Sequence, residues 1–186
     1  MPAPARALDR LRALVEEQGG LLASLLAPDS GPAPAAGGPE PSVLNIGPAQ
    51  LAAAGPRAAR STAEYELLLE AIYEGYLLHY GTPRVLCAPE ADLSLLAGDQ
   101  LYALGLARLV QLGDLAAVEE LADVITLTAL AHGADRADLA GAIWTAGAHA
   151  VGWGPSDAHG RAKELARVGS ADALEAMRAA AQLDRR

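Results

Sequence analysis

The chain contains no phenylalanine, one cysteine and one lysine in 186 residues, with two tryptophans and five tyrosines as its only aromatics. A core built without phenylalanine must be filled by aliphatic side chains. Alanine and leucine dominate here, a composition suited to close packing of helices. The lone cysteine, Cys87, excludes an internal disulfide framework and suits a reducing compartment. No uninterrupted apolar run reaches the roughly 18–20 residues that span a bilayer. The opening MPAPARALDR lacks the charged-then-apolar pattern of a secretory signal. These absences predict a cytoplasmic protein without a membrane span. There is no P-loop, no GxGxxG after a strand, no HExxH and no nucleophile elbow. Alternating strand patterns are nearly absent, which excludes an α/β enzyme and predicts an all-α helical bundle.

Positive charge is also scarce where it would matter. The net charge is −9, and residues 61–154 carry essentially all of it, with three basic residues (Arg84, Arg108, Arg136) against thirteen acidic ones. Such a surface repels nucleic acid and anionic membranes. It also repels a diphosphate unless metal ions intervene.

At 52% hydrophobic, the chain can bury a core of one domain with an additional arm. Residues 1–27 read as an N-terminal helical arm, in which Leu8, Leu11, Leu14, Val15, Leu22 and Leu25 recur near helical spacing and Gly19-Gly20 interrupts the run. Residues 28–60 hold seven of the twelve prolines, five glycines and nine alanines, the composition of a linker. Val43-Leu44-Asn45-Ile46 is an apolar island within it. Residues 61–186 form the predicted helical core domain. The first expected core helix is TAEYELLLEAIYEGYLLHY over 62–80, capped by Ser61 or Thr62. Glu66, Glu70 and Glu74 make one acidic stripe on it, and Tyr65, Leu69, Tyr73, Tyr76 and Tyr80 an adjacent face, with His79 beside Leu68 and Ile72. The stripe reads either as a divalent-cation site or, more commonly for such patterns, as a solvated face, since like charges four apart disfavour a helix.

The stretch that organises the rest is ADLSLLAGDQLYALGLARLVQLG, residues 91–113. It reads as a buried helix with Gln100, Arg108 and Gln111 on a polar stripe and Leu95, Leu96, Ala103, Leu106 and Val110 on the apolar side. Asp99 falls among the apolar positions, where a bare charge is costly. It is either a structural acid bonded to a neighbouring helix or a metal or diphosphate contact. Gly98 and Gly105 lie seven apart, on a side where another helix can approach closely. Asp114 then caps a helix over 115–132, with Glu119, Glu120 and Asp123 on its expected outer face and Gly133 as its C-cap. Asp135 and Asp138 fit a capping arrangement better than a metal motif. The small-residue helix AGAIWTAGAHAVGWG and two closing helices, 156–167 and 170–184 with Ser170 as cap, complete the chain. His149 and His159 lack a ligand-set framework.

Three features resemble the trans-isoprenyl diphosphate synthase family, over roughly residues 62–133 with a weaker echo beyond. They are a helix ending LLHYGTPRVL followed by DLSLLAGDQLYALGLARL, then GDLAAVEELADVITLTALAHGA, then the small-residue helix LAGAIWTAGAHAVGWG. The resemblance implies part of the isoprenoid synthase fold. In that family two Asp-rich DDxxD motifs hold Mg²⁺ ions that grip an allylic diphosphate, since the leaving group must be neutralised as it departs. This chain lacks both motifs. The first position reads EGYLLHYGTPR, with Glu74, Tyr76 and His79, and the second offers only Asp157. The paired arginines are reduced to Arg84. The expectation is a degenerate member without prenyltransferase activity, pairing through helices as an accessory subunit or a homodimer, with no cofactor. Mg²⁺ enters only if a diphosphate site survives. The alternative is an enzyme or binding protein for an isoprenoid or other apolar ligand, using Glu74, Tyr76, His79 and Asp99 in one pocket, with Glu66, Glu70 and Glu74 as the metal candidates. A further alternative is an unrelated helical bundle in which LLAGD is coincidental.

Overall fold

The computed structural model describes residues 4–28, 46–87 and 90–182. The described residues form an all-α bundle, with an isolated antiparallel bridge between Leu26 and Leu86 as the only strand-like pairing among them. In chain order the helices are α1 (Pro4–Gln18), α2 (Gly20–Ser24), α3 (Pro48–Ala53), α4 (Thr62–Tyr80), α5 (Ala91–Gln111), α6 (Leu115–Gly133), α7 (Ala137–Trp153), α8 (Asp157–Arg167) and α9 (Ala173–Ala180). A 3-10 turn at Pro56–Ala58 joins α3 to α4.

Two apolar clusters organise the packing. The larger surrounds α7, whose Ile143, Trp144 and Val151 meet side chains of α3, α4, α6 and α9. The smaller lies between the α1–α2 arm (Leu11, Val15, Leu22), α4 (Leu67, Ala71, Leu78), the loop residues Val85 and Leu86, and α5 (Ala97, Leu101). Helices α4 and α5 contribute to both clusters. Gly19 and Gly20 break the arm where predicted, both with positive φ.

The most extensive pairing is α4 with α5, and it is antiparallel: Ser94 Oγ donates to Leu78 O at 2.7 Å at one end, and Arg108 lies 3.6 Å from Glu64 at the other. Glycine sets this approach. A Cβ on Gly98 would lie 2.3 Å from the His79 ring, and one on Gly105 would lie 2.4 Å from Ile72 Cγ1. This corrects the predicted inner face of α5. The buried positions are Ala97, Gly98, Leu101, Gly105 and Leu109, whereas Leu95, Leu96 and Val110 are 45%, 54% and 51% exposed and Ala103 is exposed too. Small residues face the neighbour because they let two backbones come together over a long length. Counting side-chain hydrophobicity alone points the other way.

α5 is 21 residues long, and an 18-residue stretch of it has a mean hydropathy of 1.2, which suits a membrane span by length and composition. It packs along α4 through its glycine-bearing side, and 28% of that apolar stretch is buried.

The proline-rich segment is not wholly a linker. Residues 48–60 carry α3 and the 3-10 turn, and Ala49, Leu51, Ala52 and Ala58 enter the main core. Pro48 and Pro56 begin those turns, a position where a proline's missing N–H costs nothing. Val43, Leu44 and Asn45 of the apolar island lie outside the described residues, and Ile46 is exposed. Asp114 caps α6 as expected, accepting from Ala117 N at 3.0 Å. The expected Asp135/Asp138 capping box does not form: Arg136 occupies the N-cap of α7, Asp135 has φ 56°, and Asp138 Oδ1 accepts from Leu139 N. Ser61 stands at the N-cap of α4 but its side chain makes no capping bond, and Ser170 lies before the N-cap of α9, Asp172. Ser170 Oγ instead accepts from Asp172 N at 3.2 Å in the turn before α9.

Candidate functional site

The acidic stripe of α4 is neither solvated nor open. Glu66, Glu70 and Glu74 are all buried, and Glu74 is 0% exposed. Its Oε1 accepts from three successive backbone N–H groups, those of Arg84 and Val85 at 2.6 Å and Leu86 at 3.2 Å. Its Oε2 accepts from Arg84 Nε at 3.2 Å, and Arg84 Nη2 donates to Glu70 at 2.6 Å. The loop after α4 turns its amides inward and wraps one carboxylate, a fully hydrogen-bonded arrangement that makes a buried charge tolerable. The Arg84 guanidinium also lies over the Tyr73 ring at 5.2 Å. The same loop holds the arm: Cys87 N donates to Leu25 O at 2.7 Å and Ala27 N to Val85 O at 3.0 Å.

Glu66 stands higher on the stripe. Burial, with the negative Glu70 nearby and against the opposing pull of Arg10, pushes its carboxyl above the usual range. A raised folded-state value means the ionised form is the disfavoured one. Its contribution to stability is present below the ordinary glutamate value and lost as pH rises through the raised one. Glu66→Gln should therefore raise the melting temperature at pH 7 and leave it unchanged at pH 4. An equal effect at both pH values would show that the gain does not come from ionisation.

The remaining candidates face other neighbours. Tyr76 joins an aromatic group on the α6–α7 side: its hydroxyl is 2.9 Å from His132 Nε2, it packs on Tyr73 and Trp144, and Tyr80 stacks on His132 at 4.2 Å. His79 faces α5, against Tyr102 and Gly98, with Nε2 3.4 Å from Asp99 Oδ1. That nitrogen and Trp144 Nε1 are buried without a hydrogen-bond partner. Asp99 is itself exposed, on the outer side of α5. Glu74, Tyr76 and His79 thus address three different neighbours. Of the four candidates only His79 and Asp99 come together, at 3.4 Å, and no single pocket gathers them all. Among the described residues, no group of three His, Cys, Asp or Glu side chains is placed to hold a metal ion.

A second polar cluster has no counterpart in the sequence reading. Glu120, expected on the outer face of α6, is buried, and its Oε1 lies 2.6 Å from Nε2 of the buried His159. Lys163 Nζ donates to Glu120 and Asp123 at 2.8 Å each, and Arg167 donates to Asp123 at 2.7 Å. These cations outweigh the desolvation of Asp123 and hold its carboxyl below the usual range, while the two carboxylates raise Lys163. His159, Lys163 and Arg167 recur every four residues on α8 and meet Glu120 and Asp123, three apart on α6. That complementary spacing was the available signal.

Beside this cluster is a cavity of about 140 Å³ lined by Arg57, Glu119, Glu120, Val151, Pro155 and Lys163. Arg57 and Tyr65 converge on the α6 cap, Asp114, at 3.0 and 2.5 Å. The Tyr65 hydroxyl is pushed up to about 12 by burial and by the Asp114 carboxylate, which Tyr65, Ala117 and Arg57 hold below its usual range despite desolvation. Every charge around the cavity apart from Glu119 is engaged within the protein, so these groups tie α6, α8 and the 3-10 turn together.

No family model, curated protein or solved structure matches the chain.

Proposed function

We propose that this chain is a non-catalytic helical protein, similar to part of an isoprenyl diphosphate synthase, that acts in the cytoplasm by pairing with another protein or a second copy through its helices. One observation carries the reading. Where the resemblance would put the first metal motif, Glu74 is occupied by Arg84 and by loop amides, and Glu70, one turn earlier, is held by the same Arg84. The carboxylates needed for Mg²⁺ and the cation needed for a diphosphate neutralise one another. Diphosphate ionisation requires both to be free.

The test is a thermal melt with farnesyl diphosphate, with and without Mg²⁺, alongside an assay for prenyl transfer. The expected result is no product and no Mg²⁺-dependent change in midpoint. A ligand at about 100 times its dissociation constant would add roughly 2.7 kcal/mol, so a surviving site would be evident. A Mg²⁺-dependent shift or product formation would overturn the non-catalytic reading. A shift without metal would favour an apolar isoprenoid site.

A further inference from the structure

Of the three buried carboxylates on α4, Glu70 and Glu74 share Arg84, whereas Glu66 takes no hydrogen bond from any described residue. The next charge along its own helix is Glu70, of the same sign, and the charge facing it from α1 is Arg10. α3, which also packs on α4, carries no titratable group, and Arg108 of α5 lies against Glu64. The two parts of the arm above this stripe are held differently. α1 is tied through Arg10, whose Nη1 donates to Ala63 O at 2.6 Å and whose Nη2 lies 3.8 Å from Glu64, while Leu11 and Val15 share a cluster with Leu67 and Ala71. The chain after α2 is bonded to the loop through backbone, Leu25 to Cys87 and Ala27 to Val85. Between α1 and α2, Gly19 and Gly20 take φ of 67° and 61°, and an added Cβ on either would meet nothing within 4 Å. Two glycines in open surroundings make a joint about which α1 can swing while α2 stays on the loop.

We propose that α1 is a pH-sensitive strap, docked on α4 while the Glu66 carboxyl carries its proton and lifted about Gly19–Gly20 when that proton is lost. Neutral Glu66 lies beneath the arm at little cost. Ionised Glu66 faces Glu70 in a space short of water and of donors. Burial and Glu70 together outweigh the pull of Arg10, so the ion gains more from water than from its facing cation. Swinging α1 aside admits that water. Because the folded-state value is raised, docking is strongest below the ordinary glutamate range and weakens as pH rises through the raised value. The ties of the α6–α8 region run the other way. Asp114 and Asp123 are held below the usual carboxylate range, so their contribution is lost only at lower pH. Acid sufficient to dock α1 therefore leaves those pairs ionised.

The experiment follows amide hydrogen exchange by NMR in the full chain at pH 4 and pH 7, each rate divided by that of an unstructured peptide at the same pH. The protection of Leu11 and Val15 should fall several-fold from pH 4 to pH 7. Cys87, bonded to Leu25, and Ile143 and Val151 of α7 should hold their protection. Glu66→Gln should remove the change, giving α1 the same protection at both pH values. Arg10→Gln should enlarge the fall, because the ionised carboxylate then lacks its facing cation. Three results would overturn the proposal: α1 protection that is equal at the two pH values in the unaltered chain, a fall that persists in Glu66→Gln, or a fall shared by Cys87 and Val151, which would mean that the loop or the whole molecule opens. Greater protection at pH 7 than at pH 4 would also overturn it and assign control of the arm to the Arg10–Glu64 pair.

Discussion

Glu74→Ala should cost about 3–5 kcal/mol, the range found when one partner of a buried ion pair is removed. The change leaves Arg84 without one of its two carboxylates and three loop N–H groups without their acceptor. A protein of this size loses roughly 2–4 °C of melting temperature per kcal/mol, so the midpoint should fall by about 6–20 °C. Glu74→Gln separates the parts of the interaction. Its amide oxygen can still accept from the loop amides, but the charge facing Arg84 is gone, and the loss should be nearer 1–3 kcal/mol. Urea unfolding of the two variants measures the difference. If Glu74→Ala costs less than about 1 kcal/mol, the loop does not depend on this carboxylate. The Arg84 site would then be available to a ligand, which the non-catalytic reading denies.

The second large effect is expected at Gly55. Its φ of −77° and ψ of 156° suit any residue, so replacing it by alanine carries no conformational penalty. The cost is contact alone. A Cβ there would stand 2.2, 2.3 and 2.5 Å from the carbonyl oxygen, carbonyl carbon and Cα of Gly152. No rotamer change relieves a clash with backbone, so the 3-10 turn must move away from α7. Overpacking usually costs about 1–3 kcal/mol and sometimes more, and Gly55→Ala belongs at or above the top of that range. Gly47→Ala is the control: it also sits in extended backbone, before α3, but has nothing within 4 Å of the added carbon. It should be nearly neutral. Equal melting temperatures for the two variants would mean that the 3-10 turn and α7 do not approach as described.

These two sites mark where the amino-acid pattern was informative and where it was not. Apolar periodicity located the long helices from α4 onward because each buries enough leucine, valine or isoleucine for its repeat to stand out. Gly98 and Gly105 were legible as a close-approach side. The orientation of α5 was not, because a glycine face contributes almost nothing to an apolar count and yet allows the closest packing. Residues 48–60 were hidden by their prolines, which start α3 and the 3-10 turn but resemble linker composition when counted together. Glu120 was misplaced because charge on a helix usually marks the wet side. Its partners, His159 and Lys163, lie about forty residues further on, so only α8's matching spacing could have shown that the charge is neutralised in place. Glu74 was noticed for its chemistry, but the amides that bind it belong to backbone, whose direction no side-chain pattern discloses.

The division of the interior into two clusters has a consequence for cooperativity. The arm touches α4, α5 and the loop at Val85–Leu86, and the α7 cluster draws its members from α3, α4, α6 and α9. A disturbance in the arm therefore reaches the C-terminal helices through α4 and α5, the two helices that contribute to both clusters. Such an arrangement favours stepwise melting, in which the arm and its loop are a smaller unit that opens before the α7 body gives way. α4 then keeps one side packed after its other side is laid bare.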